Sequence, residues 1–102
     1  MRVISQHGNV DLPYEQIIVC HATENVVALH NEKEYVLGRY SSQEKAYKAM
    51  GMFKEHYGLL SFMKLIAGTK NYESFIRRFT EDDFIKSTTE YFQFPQDDEI
   101  EV

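Results

Sequence analysis

At Ser41 the hydrophobic period of this chain changes, and that change limits the folds open to it. Before residue 41 the apolar residues come in short runs, "RVIS", "EQIIVCHA", "VVALH" and "YVLGRY", divided by polar turns. From "YSSQEKAYKAM" onward, Ala46, Ala49, Met50, Phe53 and Tyr57 recur every three or four positions. The first pattern is that of strands and the second that of an amphipathic helix. Each has one apolar face that needs cover, and the economical solution lays the helix on the strands. A chain of 102 residues supports one such core. The expectation is therefore a single α+β domain over 1–102.

The strand half reads in more detail. "RVIS" is stopped by His7-Gly8-Asn9, and in "VDLPY" the proline excludes a central paired position. Ile17, Ile18, Val19 and Cys20 form the unbroken apolar run of a strand covered on both faces. Thr23-Glu24-Asn25 can turn that strand into "VVALH", and "NEKE", led by Asn31, turns again into "YVLGRY". Successive strands with short polar turns form an antiparallel meander over residues 14–40.

Ser41 and Glu44 have the spacing of a capping box, which starts a helix over 42–57 that Gly58 closes. Gly51 lies inside it at a cost of about 1 kcal/mol relative to Ala. "LLSFMKLIAG" is nearly all apolar, and "NYESFIRRF" sets Tyr72, Phe75, Ile76 and Phe79 on one helical face. Thr80 and Asp83 offer another cap. Residues 58–87 thus read as a helical insertion that supplies additional helices. "TTEYFQF" alternates as a C-terminal strand, with Phe92 and Phe94 toward the core, Tyr91 outward and Pro95 as its end. An acidic tail, 96–102, follows.

Chemistry is sparse. His7, His21, His30 and His56 are scattered, and adjacent Cys20 and His21 face opposite sides of a strand, so no metal site is expected. Cys20 sits in an apolar run that quietens a thiol, and there is no G-x-S-x-G elbow, G-x-G-x-x-G or P-loop. Asp82-Asp83 beside a cap position has an ordinary dipole-favoured role. No catalytic residue, cofactor or enzyme activity is expected. A single cysteine, no apolar run of membrane length and a start without a leader pattern point to a soluble protein of a reducing cytosol.

Binding chemistry is better supplied. Residues 80–102 hold eight acids against one base, a charge of −7, while the first 79 hold eight acids and ten bases. That asymmetry argues against direct nucleic-acid binding through the last third. Asp97, Asp98, Glu99 and Glu101, with Tyr91 beside them, suit a basic groove on a partner; as gatekeepers they would instead keep "YFQF" from pairing with other chains. Neutralising all four should leave the fold intact. A second candidate is the corner where Arg39 and Tyr40 meet the helix start, with Arg77 and Arg78 as further cations: phosphate on the arginines, a base on Tyr40. Leu59, Leu60, Phe62, Met63, Leu65 and Ile66 exceed one helical face, which points to a homo-oligomer.

The opening "MRVISQHGNVDLPYEQ", the join "YSSQEKAYKAMGMFKEHY" and the ending "YFQFPQDDEIEV" together resemble a family of small proteins from phages, prophages and conjugative elements of Gram-positive bacteria. The resemblance covers roughly 1–19, 40–57 and 91–102, in order. In that family the helix passes into the last strand with less between, which makes residues 59–87 look added. Small acidic proteins of such elements look like counter-defence factors. One group is similar to anti-CRISPR proteins that bind Cas9 or block its guide loading, and the tail acids would meet that basic channel. Another looks like Thoeris-type sponges that sequester cyclic nucleotides, which Arg39, Tyr40, Arg77 and Arg78 would serve. The first is the leading expectation, the sponge is the alternative, and a structural or regulatory phage protein is the third.

Overall fold

The computed structural model describes residues 1–66 and 89–101. They form two three-stranded sheets and a long helix, an α+β arrangement. β1 (Arg2–Ile4) lies between β2 (Asp11–Pro13) and β6 (Tyr91–Gln93); it pairs antiparallel with β2 and parallel with β6. β3 (Ile18–Ala22), β4 (Asn25–His30) and β5 (Lys33–Arg39) form the expected antiparallel meander. The helix α1 (Gln43–Ile66) packs on β3 and β4.

Turn chemistry sets the meander's register. The pair His30–Lys33 leaves the two-residue loop Asn31-Glu32, both at positive φ (50° and 66°), the type I′ geometry that matches strand twist. Ala22 opposite Asn25 makes Thr23-Glu24 the other loop, with Thr23 at φ 54°. A register irregularity between Val26 and Val27 bends β4. Pro13 ends an edge strand, where its missing N–H costs no ladder bond.

One hydrophobic cluster unites both sheets and the helix. Val3 and Leu12 from the first sheet, Val26, Ala28 and Leu37 from the second, and Ala46, Ala49, Met50 and Phe53 from α1 are buried together with Phe94 and Ile100. Opposed residues in a ladder share a face, so Val3, Leu12 and Phe92 point inward while Arg2 and Tyr91 point out. Tyr91 is half exposed and Phe94 is fully buried, as the alternation of "YFQF" predicts. Phe53 is the hub: its ring lies 5.5 Å from those of Phe92 and Phe94 and 5.7 Å from that of Tyr14.

The structure corrects four expectations. α1 does not end at Gly58 but runs through both Gly51 and Gly58 to Ile66. Among the described residues a Cβ at either glycine meets nothing within 4 Å, so neither serves a close approach. Two helical glycines cost about 2 kcal/mol together, and burial of Leu60 and Met63 in the continuing turns offsets it. The helix N-cap is Ser42, whose Oγ accepts the Lys45 N–H at 3.2 Å, rather than Ser41 of the expected capping box. β3 is an edge strand, and Ile18 is 65% exposed where cover on both faces was expected. The segment 58–87 does not begin as a separate insertion, because its first nine residues continue α1. The expected additional helices from residue 67 lie outside the described residues.

Phe53→Ala removes the ring on which Tyr14, Phe92 and Phe94 converge. It should cost roughly 3–5 kcal/mol and lower the melting temperature by more than about 10 °C. A thermal melt shifted by less than about 5 °C would show that this hub does not hold the core.

Candidate functional site

The chain passes from β5 to α1 at Arg39–Ser42, and three separate segments meet there. The Ser5–Asn9 turn comes first. Ser5 N–H donates to the Val10 carbonyl at 2.9 Å, Gly8 N–H donates to the Ser5 carbonyl at 3.0 Å, and Gly8 takes φ 76°, a value that favours glycine. This turn presents Gln6, a buried amide that is fully employed. Its Nε2 donates to the carbonyls of Arg39 and Pro95, both at 3.1 Å, and its Oε1 accepts the Arg39 N–H at 2.8 Å.

Tyr40 follows, and its ring is core. It is 5% exposed, and its hydroxyl donates to the Pro95 carbonyl at 2.9 Å. Burial, and then the nearby Asp97 carboxylate, push that phenol well above its ordinary pKa. The ring also explains Gly38: a Cβ there would lie 2.7 Å from the Tyr40 ring. Tyr40 therefore cannot stack on a ligand's base.

The third segment is the acidic ending, which is folded rather than free. Asp97–Glu99 forms one 3-10 turn, in which the Glu99 carboxylate accepts the Gln96 N–H at 2.9 Å. Ile100 behind it is buried. Asp97 Oδ1 accepts the Ser41 N–H at 2.7 Å, and Lys45 Nζ donates to the Asp97 carbonyl at 2.9 Å and to Oδ2 at 3.3 Å. Lys48 donates to the Glu101 carbonyl. The anion expected from a ligand at the start of α1 is thus supplied from within the chain. The Ser41 amide, with the Lys45 ammonium adding, holds the Asp97 carboxyl below its usual range.

Among the proposed partner-binding acids, Asp98 and Glu101 keep exposed carboxylates without partners among the described residues, while Asp97 and Glu99 have structural bonds. Tyr91 lies on the outer face of β6. Arg77 and Arg78 lie outside the described residues. Arg39 is exposed, and its guanidinium has no partner among them; Arg2, by contrast, is held by Asp11 at 2.7 Å. Arg39 lines a cavity of about 210 Å³ between the Ser5–Asn9 turn and the Val36–Arg39 end of β5. The sequence reading missed the roles of Gln6, Lys45 and this turn. "HGN" signalled a turn but not what would face it.

Among the described residues no group of three or more His, Cys, Asp or Glu could hold a metal ion, and no helix is long and apolar enough to cross a membrane. No protein-family model, curated protein or solved structure matches the chain.

Because Asp97 is bonded in the fold, neutralising the tail acids is not structurally silent, which corrects the expectation of an intact fold. A carboxyl held below its usual range contributes stability that is complete above about pH 4–5 and is lost as the pH falls through its folded-state pKa. Asp97→Asn should therefore melt below the wild type at pH 7 and converge with it near about pH 2. A gap of equal size at both pH values would remove the charge from this explanation.

Proposed function

We propose that this chain is a non-enzymatic counter-defence protein that sequesters a cyclic nucleotide signal. The observation that carries the reading is Arg39, whose guanidinium has no partner among the described residues, lining a cavity with no Asp or Glu among its lining residues, in a chain with 16 acids and 11 bases. A planar guanidinium left open is a fitting anchor for phosphate oxygens. The resemblance of residues 1–19, 40–57 and 91–102 to mobile-element proteins supports the counter-defence setting.

The reading includes self-association, since a ligand of this class needs more wall than one such cavity offers. Leu65, 78% exposed on the last turns of α1, supports an interface there. Sedimentation at high micromolar concentration should give an oligomer, and a clean monomer would remove this part.

A second reading, an inhibitor of Cas9 or a similar basic nuclease, is favoured by the exposed carboxylates of Asp98 and Glu101 and by the charge asymmetry of the chain. One experiment separates the two. The protein is captured from a lysate of the host bacterium, and the recovered proteins and the small molecules released on denaturation are identified by mass spectrometry. A nucleotide released in stoichiometric amount is the expected result. Recovery of a Cas nuclease with no nucleotide would overturn sequestration and transfer the function to Asp98 and Glu101.

A further inference from the structure

We infer that the cavity between the Ser5–Asn9 turn and the end of β5 is a phosphate subsite, in which Arg39 and Asn9 hold one phosphoryl group of a nucleotide. The inference rests on the sequestration reading for the kind of ligand, and on the local geometry for the site itself.

The cavity's size decides what it can take. About 210 Å³ is below the roughly 300–1,000 Å³ of pockets that enclose a whole ligand. It suits one group of a larger molecule, with the remainder outside or against another surface. Its lining decides the charge of that group. His7, Asn9 and Arg39 contribute to the wall, and no Asp or Glu is among the lining residues.

Asn9 is set as a donor by its neighbours. Ser5 Oγ accepts the Val10 N–H at 3.1 Å, so its hydroxyl proton is free to go to Asn9 Oδ1, 2.8 Å away. That bond uses the acceptor end of the Asn9 amide and leaves the Nδ2 hydrogens without partners among the described residues. The same logic orders Arg39. Its backbone is locked at both polar atoms by the Gln6 amide, so the guanidinium springs from a fixed point, and its own donors have no partner among the described residues. Asn9 and Arg39, on two chain segments, line the same cavity, and a primary amide with a forked guanidinium matches the several oxygens of a phosphate better than the two of a carboxylate. Gly8, at φ 76°, lets the turn close so that Ser5 and Asn9 come together.

The test uses the intact protein, labelled with ¹⁵N, and two probes: inorganic phosphate and adenosine monophosphate. Both should shift the amide signals of His7, Gly8, Asn9 and Arg39 in a saturable way, with sodium chloride of equal ionic strength as the control. Arg39→Gln should weaken binding of the monophosphate roughly tenfold or more, as expected for loss of a charge-assisted pair. Its side chain has no partner among the described residues, so its spectrum should otherwise overlay the wild type. Asn9→Asp keeps an acceptor for Ser5 Oγ but replaces the open donors with a negative charge, and should abolish the response. Shifts confined to other residues, or unaltered binding by both variants, would overturn the subsite.

Capture of nucleotide from lysate reads the broader function separately. If both variants still release a nucleotide as the wild type does, sequestration stands and this subsite is wrong. If none releases one while the monophosphate titrates His7–Asn9 in the wild type, the subsite stands and the sequestration reading fails.

Discussion

Everything at the junction of the two sheets depends on the buried amide of Gln6. A primary amide taken out of water without partners is costly, and one with all its partners is stabilising and directional. Gln6 satisfies that demand by bonding Arg39 on both sides and Pro95 once, while its own backbone N–H donates to the Leu37 carbonyl at 2.8 Å. The amide of Gln96 returns a bond to the Gln6 carbonyl at 2.6 Å. One residue thereby ties the first turn, the end of the meander and the segment after β6. Apolar packing around Phe53 supplies the bulk of the cohesion; the Gln6 network adds directional bonds between segments that are remote in sequence.

The same junction redistributes the charge that looked free in the sequence. A carboxylate spent on Ser41 and Lys45 positions the start of the helix, and little of it remains for a partner. The tail thus has an internal structural use in Asp97, Glu99 and Ile100 and an external face in Asp98 and Glu101. Arg39 has the opposite arrangement: its backbone is held by Gln6, and its guanidinium has no partner among the described residues. Binding groups held at the root and open at the tip are what preorganised recognition requires.

How much of this was legible in the sequence varied with the range of the interactions. The meander and its turns rest on neighbours within a few positions, and Asn31 and the β-branched runs declared them. The inward Phe92 and Phe94 followed from simple alternation. Gly58 misled because propensity is a weak local preference, and burial of Leu60 and Met63 outweighs it. The run at Ile17–Cys20 misled because an apolar stretch states what can be covered, not whether a second layer exists to cover it. Ser42 rather than Ser41 caps the helix, and the Ser41 amide instead donates to Asp97, 56 positions away, which no local spacing announces. The candidate cavity was invisible for the same reason: its two walls are remote in sequence and neither carries a motif.

The parallel pairing of β1 with β6 has a consequence for the order in which the molecule can assemble. The meander and α1 are local structures, each able to form soon after its residues are available. The first sheet joins strands on either side of the whole intervening chain, and the Gln6–Pro95 bond spans 89 positions. Closing so long a loop is slow in rate, yet its entropic cost grows only logarithmically with length, about 0.6 kcal/mol for each doubling. Material can therefore be gained or lost between α1 and β6 with little thermodynamic effect on the seam itself. The equilibrium of the Val3–Phe92 partnership is thus nearly insensitive to the length of chain that separates α1 from β6.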